Sequence, residues 1–190
     1  MTETPREPRE LDARSLLALA HPLRIRMLNR LMRGEPATAS QLAGELKESS
    51  GSTSYHLRML ERHGFVIEEA GLGSRRERFW RAVPGGIHLR GYELLGDEAT
   101  RAATRLLVDE VHRQAAEHLE HWLSTTQSWS TAWRDASTDA VYALHLDPAE
   151  TADLKSEIEG VLNRRRGRRP GPTTRSVEVH VDIFPTGDPA

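Results

Sequence analysis

The chain has 190 residues, 37% apolar and 28% charged, with no cysteine and a formal net charge of −2. That composition fits one medium or two small globular domains and excludes disulfides, thiolate metal sites and thiol redox sensing. No run approaches the roughly 18 apolar residues that span a bilayer. The polar opening MTETPREPRE lacks the apolar core of a signal peptide. Residues 1–10 therefore read as a disordered tail, and the protein as cytoplasmic with no membrane partner.

The small net charge conceals an asymmetry. Residues 11–83 carry 12 Lys/Arg against 8 Asp/Glu, a net of +4, whereas residues 84–190 carry 12 against 17, a net of −5. The front segment alone has the sign that attracts phosphate.

In chain order, Leu11–Ala20 reads as a first helix, broken at His21-Pro22. Pro22 suits the first position of a second helix over Leu23–Met32, whose Leu23, Met27, Leu28 and Leu31 recur at helical spacing. Thr38 and Gln41 form a T-x-x-Q capping box at the start of a third helix. Lys47-Glu48 makes a turn, Ser49 or Ser50 caps a fourth helix to about His63, and Gly64 stops it. Phe65–Glu68 and Arg78–Val83 flank Gly71-Leu72-Gly73-Ser74 as a β-hairpin. Pro84-Gly85-Gly86 is the expected domain boundary, dividing residues 11–84 from 85–190. Asp97 then caps a long helix, 97–124, with Ala99, Ala103, Leu107, Val111, Ala115 and Leu119 as its apolar stripe. Val141–Leu146 reads as a strand, Asp147 as the cap of a helix to Arg165, Gly167–Pro172 as a linker and Val177–Phe184 as an alternating half-buried strand. Residues 140–185 are thus expected to form a strand-helix-strand unit. The fold class that results is mainly α, a winged helix-turn-helix domain with a β wing, a long dimerisation helix and a C-terminal α+β element.

The chemistry concentrates in residues 38–63. In the fourth helix, Thr53, Leu57 and Leu60 point inward at i, i+4 and i+7, which turns Ser52, Ser54, Tyr55, Arg58 and Arg62 wholly or partly outward, with His56 at the margin. Hydroxyls can bond base edges or phosphates, and an arginine can bond guanine bidentately. Thr38, Ser40, Gln41 and Ser50 join this candidate DNA-binding set, because free N–H groups at helix starts seat phosphates. Arg75, Arg76 and Arg78 of the hairpin are candidates for the backbone or minor groove. A solvated polar face is the alternative for each of them.

The residues Leu42-Ala43, Leu46, Ser49, Ser54-Tyr55-His56-Leu57, Leu60 and Gly64-Phe65-Val66 resemble the ArsR-type winged-helix repressor pattern LA-x-x-LG-x-S…VS-x-HL-x-x-L-x-x-x-GLV. Leu19-Ala20-His21-Pro22-Leu23-Arg24-Ile25-Arg26-Met27-Leu28 resembles that family's LA-x-P-x-R-x-x-IL opening. The likeness covers roughly residues 14–83. It implies a homodimeric transcriptional repressor released from a double-stranded DNA operator by an effector. Lys47 stands where the pattern has a turn glycine, and the Cys-Val-Cys motif of the family's metal sensors is absent.

Beyond residue 97, His112, His118 and His121, with Asp109, lie on the long helix where some of these repressors hold zinc. Their spacing is out of register with that site, so surface histidines are the favoured reading. Trp122, Trp129 and Trp133, with Tyr142, could line a pocket for a small-molecule effector or fill a core or dimer interface. The basic run Arg164, Arg165, Arg166, Arg168 and Arg169 could reach flanking phosphates, but a solvated helix end is the favoured reading. No catalytic motif or cofactor loop stands out, so no cofactor and no enzymatic activity is expected. A winged-helix module that contacts protein and not DNA is the competing reading.

Overall fold

A computed structural model describes residues 9–72, 77–83, 87–88, 93–165 and 171–188. The expected boundary at Pro84-Gly85-Gly86, the wing residues Arg75 and Arg76, and most of the Gly167–Pro172 linker lie outside the described residues. The chain divides into two compact units, Met1–Gln114 and Ala115–Ala190.

In the first unit the elements run β1 (Arg9–Glu10), α1 (Ala13–Leu19), α2 (Pro22–Arg33), β2 (Ala37–Thr38), α3 (Ala39–Leu46), α4 (Ser50–Arg62), β3 (Val66–Glu68), β4 (Phe79–Ala82) and β5 (Ile87–His88). A 3₁₀ turn at Glu93–Leu95 precedes α5 (Glu98–Thr125), which reaches Gln114 within this unit. β1 pairs in parallel with β5, Arg9 with Ile87 and Glu10 with His88, at the end of the segment expected to be a tail. β2, β4 and β3 form a three-stranded antiparallel sheet in the order β2-β4-β3.

Local signals explain where the helices begin. The Asp12 carboxylate accepts from Ser15 N at 2.7 Å, which starts α1 later than its apolar pattern implied. His21 caps α2 by accepting from Leu23 N through Nδ1 at 3.1 Å, with Pro22 in the first turn. Thr38 and Gln41 complete the capping box of α3. Each satisfies N–H groups that a helix start leaves orphaned.

The core joins α1 to α5 with β2, β3 and β4. Leu16, Leu19, Met27, Leu28, Leu42, Leu57, Leu60 and Val66 are almost wholly inaccessible, and Phe65, Trp80, Ala103 and Leu107 close the cluster. α5 therefore holds to the domain through only part of its stripe. Leu119 and Leu123, farther along, are 42% and 57% exposed.

The second unit contains the rest of α5, a 3₁₀ turn at Thr126–Ser128, α6 (Thr131–Ala136) and α7 (Pro148–Arg165). Asp147 accepts from Ala149 N and Glu150 N, the expected cap of α7. The expected strands Val141–Leu146 and Val177–Phe184 are not strands: both segments join neither sheet. A strand exists only as a member of a ladder, and the alternation that suggests one says nothing about whether a neighbour is present. Among the described residues of 115–188, none is buried.

Candidate nucleic-acid interface

α3 and α4 are joined by Lys47, Glu48 and Ser49. Lys47 takes the left-handed conformation at φ 57° and ψ 46° as the C-cap of α3, with its N–H on Ala43 O. Glu48 N also reaches Ala43 O at 2.9 Å, so this carbonyl closes α3 twice. Ser49 Oγ then accepts from Ser52 N at 3.1 Å and opens α4. Thr53, wholly buried, donates its hydroxyl to Ala39 O at 2.9 Å, locking the first turn of α3 against α4.

That clamp sets which face of α4 is outside. Ser50, Tyr55, Arg58 and Arg62 are exposed, and Ser52 and Ser54 are half-buried. Tyr55 is 54% exposed. Arg58 and Arg62 enter no ion pair among the described residues, which leaves both guanidinium groups available to an anion. Ser40 and Gln41 are exposed at the start of α3, whereas Thr38 is buried and both Thr38 and Gln41 are engaged in the capping box.

His56 departs from its expected place at the margin. It is buried, its ring 4.4 Å from that of His21 and 5.2 Å from Tyr55. It therefore supports the outward face instead of forming it. The ring of His21 on another element decides its position, and that is invisible in the periodicity of α4. Burial lowers the pKa of both histidines, and the Arg24 charge lowers both further; in His56 the neighbouring His21 is the second cause, while Glu48 pulls the other way. The lowered values favour the neutral ring in both, which is the form in which His21 Nδ1 accepts from Leu23 N.

Arg24 was not singled out from the sequence. Its Nε is buried without a hydrogen-bond partner, burial lowers its pKa, and Tyr55 opposes that shift. Other α2 arginines are occupied by the scaffold. Arg30 forms a two-pronged pair with Glu45 at 2.6 and 3.0 Å, and Arg26 reaches Leu46 O at 3.3 Å. These bonds tie α2 to the end of α3.

The β3–β4 hairpin supplies the wing, with Ile67 opposite Arg81 and Glu68 opposite Trp80. Arg78, two-thirds exposed, lies 3.5 Å from Glu68, and Arg81 pairs with Glu69. Carboxylates thus moderate the described part of the wing's positive charge.

Candidates in the second unit are arranged differently. Trp122 and Trp129 have ring centroids 5.7 Å apart in a tilted contact, and Trp129 and Trp133 6.1 Å apart edge to face, so the three follow one another as a ladder. All three are half-buried. Tyr142 is 82% exposed and stands outside the ladder. His118 Nδ1 lies 2.9 Å from Glu178, which also meets His180 at 2.7 Å. Among the described residues no three His, Asp or Glu side chains converge as metal ligands would, and His112, His118 and His121 do not form such a group. No helix among the described residues is long and apolar enough to cross a membrane.

Comparison with known proteins bears on the front of the chain. No curated protein matches it. Solved structures similar to it include the transcriptional regulator Tm0710 from Thermotoga maritima, at 14% identity over 80% of this chain and 84% of that one, with a TM-score of 0.33. A zinc-responsive MarR family member, ZitR from Lactococcus lactis, is similar at 18% identity over 86% and 81%, with a TM-score of 0.27. A MepR mutant from S. aureus, bound to an oligodeoxyribonucleotide, is similar at 15% identity over 80% and 88%, with a TM-score of 0.28. Likenesses this loose carry no argument about activity. A family model described as a helix-turn-helix domain matches residues 19–69, the segment from the end of α1 into the hairpin, and the chain accordingly carries a winged helix-turn-helix fold.

Proposed function

We propose that this chain is a sequence-specific DNA-binding transcriptional regulator, with α4 as the helix that enters the major groove. The observation that carries this reading is the outward face of α4. Ser50, Ser52, Ser54, Tyr55, Arg58 and Arg62 lie along a helix whose orientation is fixed by the Thr53–Ala39 hydrogen bond. Such a helix presents base-reading and phosphate-reading groups together. Ser40 and Gln41 at the start of α3, and Arg75, Arg76 and Arg78 of the wing, flank it in sequence.

The finer reading follows the ArsR-type pattern: a cytoplasmic homodimeric repressor on a near-palindromic operator, its two recognition helices about one turn of DNA, ~34–36 Å, apart. The exposed Leu119 and Leu123 on α5 support a helix that meets a second copy. The tryptophan ladder supports an effector site in the second unit, and binding, not catalysis, is the role assigned to the whole. Selection of bound fragments from the source genome tests the reading. Recovery of a shared sequence motif, with weaker retention by Arg58→Ala, is expected. Retention of no fragment at low salt would favour a module that docks on protein.

A further inference from the structure

The second unit leaves several of its apolar residues largely in water. Val141 is 97% exposed, Tyr142 82%, Val177 66%, Phe184 61% and Val179 58%, and α7 packs against neither segment closely enough to bury a residue. Together the two segments expose several hundred Å² of apolar side chain, on the order of the ~800 Å² that each partner contributes to a standard protein interface. Both are rich in β-branched and aromatic residues, the composition of a strand that lacks a neighbour.

The polar side of 177–184 is already placed. Glu178 takes His118 of α5 and His180 of its own segment, while Val179 and Val181 stay open. Charge decides which neighbour fits. In a two-fold antiparallel pair, residues of like parity face each other across the strands. With Val179 on the axis, Glu178 of each copy faces the partner's His180, and Val177 faces the partner's Val181. With Val181 on the axis, His180 faces the partner's Asp182 and Val179 faces the partner's Ile183. The first register matches carboxylate to imidazole and apolar to apolar across 177–181, whereas the second does so at 180/182 and 179/183 but sets Glu178 against the partner's Phe184. An in-register parallel pair instead sets Glu178 against itself and Asp182 against itself, which is destabilising.

We infer that residues 177–184 form an intermolecular β-ribbon with the same segment of a second copy, and that residues 141–146 extend the shared sheet. This deepens the homodimer reading and rests on it: the second unit of each chain is completed by the other chain.

The absence of native cysteine makes the test clean. Val179→Cys and Val181→Cys are introduced singly into the full chain, with Ala70→Cys as an exposed control, and oxidised at micromolar concentration. A residue on the axis brings two Cβ atoms within disulfide reach. Rapid disulfide-linked dimer from one of the two valine variants, none from the control, and at least a ~10-fold weaker dimer for Val179→Glu by sedimentation are expected, with helical circular dichroism unchanged. A dimer that neither crosslinks at 179 or 181 nor weakens with Val179→Glu overturns the ribbon and leaves the homodimer intact. A monomer at the concentrations that bind DNA overturns both.

Discussion

The His56 ring of α4 rests 4.4 Å from the ring of His21, the residue that caps α2. α2 and α4 therefore meet through a pair of imidazoles whose neutral forms are favoured: burial and Arg24 oppose a charge on either ring, His21 also opposes one on His56, and Glu48 pulls the other way.

This coupling predicts a pH dependence of known sign. Both folded-state pKa values lie below the ordinary 6.5, so the folded protein binds fewer protons than the unfolded one as pH falls. The stability they contribute is complete above about pH 6.5 and is lost as pH falls through the lowered values. Thermal melts between pH 7.5 and 5 should show a falling Tm, and His56→Leu should flatten that fall. An equal slope in wild type and His56→Leu would contradict the coupling.

Lys47 predicts a gain. A side chain at φ 57° is strained where glycine is not. Lys47→Gly should stabilise the protein by up to about 1 kcal/mol in urea unfolding, with the turn unchanged. A loss of stability would show that the lysine side chain contributes more than the strain it carries.

Thr53 predicts a loss that shape cannot explain. Thr53→Val keeps the volume but removes the donor to Ala39 O at 2.9 Å. Ala39 O keeps its bond within α3, so losing the Thr53 bond should cost about 0.5–1.5 kcal/mol. Denaturant melts measure the cost directly. DNA affinity should fall as well, because this bond aims α4. A variant as stable as wild type would remove Thr53 from the scaffold.

The cap of α3 predicts a smaller effect. Thr38→Ala removes the hydroxyl that accepts from Gln41 N, while the Thr38 N–H can still donate to Gln41 Oε1, and should cost about 1 kcal/mol. If Thr38 instead served DNA directly, affinity would fall with no change in Tm. Its burial argues against that.

The parts of the fold that depend on local chemistry were legible in the sequence. The capping box at Thr38 and Gln41, the Ser49 cap, the Lys47 turn and the Gly64 stop are short-range events written in neighbouring residues. The parts that depend on distant neighbours were not. His56 sits at the edge of the apolar arc of α4, and only His21 decides that it faces inward. Arg30 looks like a free cation in sequence but belongs to Glu45, fifteen residues away. Val141–Leu146 and Val177–Phe184 carry a strand's composition without a strand's neighbour, and composition cannot supply one. Asp12 shows the reverse: a capping residue that periodicity alone passes over.

The central claim, that α4 reads DNA, is tested most directly by titrating a selected genomic fragment with wild type and Arg58→Ala across a range of salt. Wild-type affinity should fall linearly in log–log form as salt rises, through counterion release. Arg58→Ala should lose roughly 1–3 kcal/mol with relaxed specificity if Arg58 reads a base, or reduce the salt slope by about one if it holds a phosphate. Wild-type binding that is indifferent to salt, or an Arg58→Ala variant with both affinity and slope unchanged, would contradict the claim.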